Sequence, residues 1–339
     1  MRYLLRVLVA VLAAALCVTA HAQSYYQGKT LRIVVGLAPG GGFDTYARAI
    51  GRHIAKHIPG NPTVVVDNMP GAGGITMTNH LYKVVKPDGL TLGHFNGAII
   101  LSQALGQQGI EFDARKFEYL GAALKEDVVC SFTKKSGITS MQQWAQASAP
   151  VKVGGVAPGT TPDNAANILK AALGLPLQLV TGYKGTAPLR LAVESGEVAG
   201  GCWSWESMRV TWRQAIESGE VVPVVQVVAK PFADIPNVPL AVSFAKTPEA
   251  RRLIEVGVQN SSAIARPFAL SPGTPKQHVQ TLRRAFEATL KDKDFLAEAE
   301  KSKLTIDPVD ADEFARLVAD VFTIDPATRD KLKAAVLPK

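Results

Sequence analysis

Cysteine is scarce in this chain: three residues in 339, at positions 17, 130 and 202. That excludes a disulfide framework and a cysteine-rich metal module. Charge is neither blocked nor striped. No run of about five or six like charges occurs, and no basic stripe is interleaved with aromatics, so nucleic acid is not an expected partner. Past the N-terminal segment, no apolar run approaches the roughly 20 residues that a membrane span needs. No serine, cysteine or histidine sits in a nucleophile motif, and no pair of acids stands out. His53 and His57 are four apart but lack the glutamate of H-E-x-x-H. They alternate with Arg48, Arg52 and Lys56, which reads as a solvated basic face near a helix C-terminus. The chain therefore offers nothing that needs to catalyse, and no metal or cofactor is expected.

What is present begins with an address. Arg2 and Arg6 form a positive n-region, Val7 to Val18 an apolar h-region, and Ala20-His21-Ala22 an A-x-A cleavage signal. Residues 1–22 are read as a signal peptide cleaved near Ala22, which makes the mature chain exported and periplasmic. Leu16 is larger than the residue that precedes a lipidated cysteine, which argues against lipidation of Cys17. Arg2 and Arg6 leave with the signal, so the formal charge falls from +8 to +6. A modest positive field favours small acidic molecules. Cys130 and Cys202 remain, either as one bridge or as two buried thiols.

The apolar run Leu31 to Val35 reads as a buried strand and ends in Gly36-Leu37-Ala38-Pro39-Gly40-Gly41-Gly42-Phe43-Asp44, ahead of a helical pattern at Ala47, Ile50, Ile54 and Ile58. A glycine-rich strand-to-helix turn lets bare N–H groups approach an anion at the positive end of a helix dipole. A second such turn, Pro70-Gly71-Ala72-Gly73-Gly74, follows the strand Thr63 to Asp67. Two turns after successive parallel strands lie on one sheet edge and together suit a carboxylate or phosphate. Asp44 is either the N-cap, accepting from the N–H of Ala47 or Tyr46, or a group facing the ligand. The dinucleotide and P-loop readings fail. Thr45 stands at the third glycine position, Pro39 interrupts the turn, and no Gly-Lys-Ser/Thr follows.

Strand and helix signals alternate at βαβ spacing through both halves, the pattern of an α/β fold. Further strands are expected at Leu90 to Phe95, Val151 to Val156, Leu177 to Thr181 and Val221 to Val228. Ser140 and Gln143 form a capping box. A helix opens at Thr160-Thr161-Pro162-Asp163 and stops at Gly174. The last third is mainly helical, with Val279, Leu282, Phe286 and Leu290 inward on one helix and Phe314, Leu317, Val318 and Val321 on another. Trp203 and Trp205 alternate like strand residues, one toward the core and the other toward cleft or solvent. Two α/β halves with ligand-shaped loops imply a cleft between lobes.

The chain resembles the extracytoplasmic solute receptors of the tripartite tricarboxylate transporter family, the Bug proteins. The resemblance rests on Ala38 to Asp44 with Ala47-Arg48, Asn68 to Gly74, Pro87-Asp88-Gly89-Leu90-Thr91-Leu92 and Tyr183-Lys184-Gly185-Thr186-Ala187-Pro188. It implies a type II, Venus-flytrap periplasmic binding protein whose lobes are mainly parallel sheets flanked by helices. Lobe 1 would comprise residues 23–124 and 262–339, and lobe 2 residues 125–261. Carried over by position, the ligand's proximal carboxyl group would meet Pro39, Gly40, Gly41, Gly42, Phe43 and Asp44 with Pro70, Gly71, Ala72, Gly73 and Gly74. The second lobe would add Gly159, Thr160, Thr161 and Asp163, and Tyr183, Gly185 and Thr186. Phe43 replaces a common Thr or Ser and would add apolar surface at the ligand edge. The 157–163 loop matches loosely, and the segment after Pro239 lacks the common Pro-Thr-x-x-Glu. The expected function is capture of a mono-, di- or tricarboxylate by a monomer that delivers it to permease subunits. The alternatives are a sensor that presents its closed form to a kinase, or a secreted enzyme on the same fold.

Overall fold

The computed structural model describes residues 25–337. The signal peptide and the Cys17 reading lie outside them. The first half runs β1 (Thr30–Val35), α1 (Gly42–Ile54), β2 (Thr63–Asn68), α2 (Ile75–Lys83), β3 (Thr91–His94), α3 (Ala98–Ala104) and β4 (Glu118–Ala122). Next come β5 (Val128–Thr133), α4 (Met141–Ala145), β6 (Val151–Gly154), α5 (Thr161–Leu173), β7 (Leu177–Val180) and α6 (Thr186–Ser195). Then follow β8 (Gly200–Ser204), α7 (Trp205–Thr211), α8 (Arg213–Glu217), β9 (Val221–Val227) and α9 (Pro248–Ile254). The chain closes with β10 (Pro267–Leu270), α10 (Lys276–Leu290), α11 (Lys293–Lys301), α12 (Ala311–Val321) and α13 (Pro326–Val336).

The strands form two five-stranded sheets, ordered β2-β1-β3-β10-β4 and β7-β6-β8-β5-β9. β1 pairs in parallel with β2 and β3, and β6 with β7 and β8. Each sheet holds one reversed strand: β10 runs antiparallel to β3 and β4, and β5 to β8 and β9. These are the strands that enter each lobe just after the chain crosses from the other. The crossings are tied together, since Glu126 N–H donates to Ser262 O at 3.0 Å.

In β1, Leu31, Ile33 and Val35 are buried while Thr30 and Arg32 are exposed, the period-2 pattern of a strand covered mainly on one face. α1 buries Tyr46, Ala47, Ile50 and Ile54 at helical spacing. A core on the other face of the first sheet includes Phe95, Ile99 and Phe314. One core is shared between the lobes, joining Phe43, Tyr46 and Phe286 to Trp203, Trp205 and Trp212. A second core lies mainly in lobe 2, with Leu101 and Leu105 from the end of α3, and includes Leu332 and Val336 of α13. The C-terminal segment therefore divides: α12 packs on lobe 1, while α13 returns to α5 and α9 of lobe 2. Within the 262–339 segment expected in lobe 1, Leu332 and Val336 find their apolar partners in lobe 2.

Three other local expectations change. Gln143 accepts from Thr139 N–H and Oγ1 rather than from Ser140 N–H, so only Ser140's half of the capping box forms. Trp203 and Trp205 are both buried, because β8 ends at Ser204 and a helix begins at Trp205. Trp203 stacks on Trp212 at 5.1 Å, and Trp205 Nε1 donates to Asp234. His53 and His57 do not form a solvated face: His53 Nε2 lies 2.8 Å from Glu298 and His57 Nε2 3.2 Å from Asp292.

Candidate binding site

The first glycine turn is held by its own helix. Gly40 takes φ +81°, and its N–H donates to Asp44 Oδ2 at 3.0 Å. Arg48 Nε donates to the same oxygen at 2.9 Å, and its Nη2 reaches Asn68 Oδ1 at 3.0 Å. Asn68 in turn donates to Leu37 O at 2.9 Å, tying the turn to the end of β2. Burial pushes the Asp44 carboxyl upward. The hydrogen bonds from Arg48, Gly40 and Asn68 outweigh that and hold it below its ordinary value. Of the two readings left open for Asp44, the N-cap does not hold: the helix starts at Gly42, Gly41 is the cap, and Asp44 reaches back to brace the turn. Thr45 is the first residue of this helix start whose N–H finds a backbone acceptor, on Gly41 O. The N–H groups of Gly42, Phe43 and Asp44 are therefore the free donors of the helix start.

The second turn is left-handed at three consecutive residues, Ala72 (φ +45°), Gly73 (+66°) and Gly74 (+105°), before α2. Gly74 N–H bonds back to Gly71 O at 2.9 Å and Ile75 N–H to Ala72 O, so the turn closes on itself. The turns touch, since a Cβ on Gly36 would lie 3.1 Å from Gly74 Cα.

Lobe 2 meets them with two loops. Asp163, buried, accepts from Val156 N–H (2.6 Å), Ala157 N–H (3.0 Å), Thr160 Oγ1 (3.0 Å) and Thr181 Oγ1 (2.5 Å). It braces the 155–160 loop from inside the lobe. Burial raises its carboxyl in spite of those donors. Tyr183 directs its hydroxyl to Glu197 at 2.6 Å, within lobe 2. Gly185 and Thr186, at the start of α6, face the first turn. A Cβ on Gly185 would lie 3.4 Å from Ala38 N, and one on Gly41 2.8 Å from Thr186 Oγ1.

The structure thus shuts the lobes on each other. Ala38 N–H donates to Lys184 O at 2.9 Å. Thr161 Oγ1 donates to Asn96 Oδ1 at 3.2 Å, Ser102 Oγ to Gly159 O at 3.3 Å and Gln107 Nε2 to Pro158 O at 3.1 Å. A Cβ on Gly73 would overlap Thr160 Cγ2. Gly40 is brought against Ala187, Gly41 against Thr186 and Gly73 against Thr160, whereas Pro70 stays exposed at the rim. Beside the second turn, a groove of about 960 Å³ runs past Ala72, Thr76, Gln107, Pro158 and Lys333.

Phe43 does not present apolar surface at a ligand edge. It is 4 % exposed and lies against His94 (5.0 Å) and the Arg266 guanidinium (4.4 Å). That contact leads to a charged cluster that sequence reasoning missed. Arg266 Nε donates to Glu126 Oε2 at 2.8 Å, and both side chains are buried. Arg266 Nη2 donates to Ser207 Oγ at 2.5 Å across the lobes. Burial, then the Asp127 charge, pushes the Glu206 carboxyl up to about 8. Burial drives His94 down to about 3, and its Nδ1 lies 2.9 Å from Pro267 O. The only local signal for this cluster is an arginine directly ahead of the apolar run Pro267-Phe268-Ala269-Leu270. Among the described residues no group of three or more His, Cys, Asp or Glu could hold a metal ion. Nor is any described helix long and apolar enough to cross a membrane.

Comparison with known proteins agrees with this architecture. The fold is similar to that of the periplasmic binding protein BugD, with a TM-score of 0.76 and 20 % identity over 93 % of this chain and all of that one. MatC from Rhodopseudomonas palustris, solved with malate, gives 0.72 and 21 % over 90 % of this chain and 99 % of that one. A second R. palustris protein, solved with adipate, gives 0.72 and 20 % over 90 % of this chain and 97 % of that one. Among curated sequences, a UPF0065 protein of Bordetella bronchiseptica is 27 % identical over 137 residues, which is 40 % of either chain. The chain thus matches about two fifths of that relative's length. The family model described as tripartite tricarboxylate transporter family receptor matches residues 46–327, and the chain belongs to that family of two-lobed solute-binding receptors.

Proposed function

We propose that this protein is an exported receptor that closes its lobes on a small organic carboxylate and passes it to the membrane subunits of a tripartite transporter. The observation that carries this reading is the meeting of four loops. The two glycine turns leave β1 and β2 on one sheet edge, and the 157–161 and 184–187 loops of lobe 2 press on them directly. In this reading the free N–H groups of Gly42, Phe43 and Asp44, with those of Ala72 and Gly73, hold the carboxylate, Gly40 and Gly74 shape the turns through their own N–H bonds, and Thr160, Thr161, Gly185 and Thr186 close over it. Asp44 and Asp163 shape their loops, and Tyr183 supports its own from outside. Hydrogen bonds to a charged acceptor contribute roughly 1.5–3 kcal/mol each, so a few donors in a desolvated cleft suffice for tight capture. Lobe closure is the whole mechanism, with no bond made or broken. Relatives solved with malate and adipate support an acid as ligand without naming this one.

The test is mass spectrometry of small molecules released from natively purified protein, with a thermal-shift screen of acetate, succinate, malate, adipate and citrate. The expected result is a released organic acid and a raised melting temperature for at least one acid. Ligand at a hundred times its Kd stabilises by about 2.7 kcal/mol. Failure of every acid to shift melting, with no acid released, would overturn the reading.

A further inference from the structure

Arg266 is 1 % exposed and stands just ahead of β10, bonded across the lobes to Ser207. Its Nε and Nη2 are engaged by Glu126 and Ser207. Its Nη1 is buried and has no hydrogen-bond partner among the described residues. That nitrogen points at the first turn of α1: a Cβ on Gly42 would lie 3.2 Å from it. The guanidinium carbon sits 4.4 Å from the Phe43 ring centre and 5.4 Å from that of Tyr46.

A cation here is at the wrong pole of a 13-residue helix, whose N-terminus carries partial positive charge. The free N–H groups of Gly42 and Phe43 add donors to the same place. The nearby carboxylate of Asp44 does not answer them, because it is turned to Gly40 N–H and Arg48. A guanidinium has no acceptor lone pairs, so the unpaired Nη1–H and the helix-start N–H groups all call for an acceptor, and an acid's oxygens supply one that the positive end of the helix also favours.

We propose that Arg266 is a ligand-binding residue, giving its Nη1–H to an acidic group that also accepts from the N–H groups of Gly42 and Phe43. The inference rests on the carboxylate-receptor reading and deepens it. It adds a fixed side-chain cation to the backbone donors and seats the acid at the start of α1, beside Phe43. Ser207 of lobe 2 crowds Gly42 in the shut form, so the acid enters while the lobes are apart. Closure then brings Ser207 onto the same guanidinium.

Titration calorimetry with succinate, glutarate and citrate tests this on the full mature chain and on Arg266→Gln and Arg266→Lys. One charge-assisted hydrogen bond corresponds to a loss of about 10- to 100-fold in affinity. That loss is expected for Arg266→Gln in protein that still folds, with a lowered melting temperature because Glu126 loses its buried partner, and a smaller affinity loss for Arg266→Lys. Should Arg266→Gln fail to fold, wild-type protein carrying ¹⁵N-arginine gives the answer, since ligand must shift the buried guanidinium Nη resonances. Unchanged affinity in a folded Arg266→Gln, or Nη signals that stay put at saturating acid, would overturn the assignment and leave the receptor reading standing. Wild-type protein that binds none of these acids or those of the thermal-shift panel would remove the reading and the assignment together.

Discussion

Ala38 and Lys184 are joined backbone to backbone across the cleft, N–H to carbonyl at 2.9 Å. Main chain thus meets main chain where the first glycine turn faces lobe 2, and there is no depth there for a side chain. Glycine at Gly41 and Gly73 consequently reports on closure rather than on folding alone.

Gly41→Val separates the two. Gly41 has φ −89° and ψ 175°, extended backbone that valine adopts freely, so the substitution adds no backbone strain. Its Cβ would stand 2.8 Å from Thr186 Oγ1, which props the lobes apart. The expected outcome is a stability change within about 1 kcal/mol, a larger radius of gyration by X-ray scattering, and acid affinity reduced at least about tenfold. Thr186→Ala in the same chain should recover part of that loss. A folded Gly41→Val protein with undiminished affinity would sink the role given to the first turn.

Asp44→Asn should weaken the first turn in a pH-dependent way. The folded carboxyl lies below its ordinary value, since the donors from Arg48, Gly40 and Asn68 overcome the effect of burial. Its contribution is therefore present above the unfolded value of 3.8 and is lost as pH falls through the lower folded value. Asparagine keeps an acceptor for Gly40 N–H but loses the charge that pairs with Arg48. Urea denaturation at pH 7 should show a loss of roughly 1–2 kcal/mol, and the gap to wild type should narrow below pH 3.8. A gap that is constant with pH would mean that the carboxylate charge is not what braces the turn.

The sheet-edge loops are legible in the sequence because their signals are local. An alternating apolar run ending in glycines marks a strand and a turn whatever surrounds them, and Gly174 does end α5 in the left-handed conformation. What escapes a sequence reading depends on distant partners. Arg266 meets a carboxylate 140 residues away. His53 and His57 read as solvated until α11 and the turn before it bring Glu298 and Asp292 against them, more than 230 residues along the chain. The cap reading, one of two left open for Asp44, misses by two or three residues, since three successive glycines leave the start of a helix undefined by propensity. The last helix reads as more of lobe 1 because nothing local records a third crossing between lobes.

Cys130 and Cys202 lie directly opposite on β5 and β8 and are bridged. The bond closes a loop across a sequence separation of 72, for which chain-entropy arguments give about 4 kcal/mol. Cys130→Ala with Cys202→Ala should keep the far-UV spectrum and lose about 2–4 kcal/mol of unfolding free energy. The mature wild-type chain, denatured without reductant, should show no reactive thiol. Two titratable thiols per chain would rule the bridge out.

Glu206 makes a prediction of opposite sign to Asp44. Burial and the neighbouring Asp127 charge raise its folded value from 4.5 to about 8, so the folded chain keeps a proton that the unfolded chain has released. Stability from this group is complete below pH 4.5 and declines as pH rises toward 8. Glutamine at this position keeps an acceptor for the Ser204 hydroxyl, which now donates to Glu206 at 2.9 Å, and it never ionises. Glu206→Gln should therefore be more stable than wild type by on the order of 2–3 kcal/mol at pH 7, with the gain shrinking toward acid. Thermal melts between pH 5 and pH 9 follow this directly. Wild type should lose melting temperature across that interval faster than Glu206→Gln, and parallel curves would show that the Glu206 carboxyl does not carry the proton.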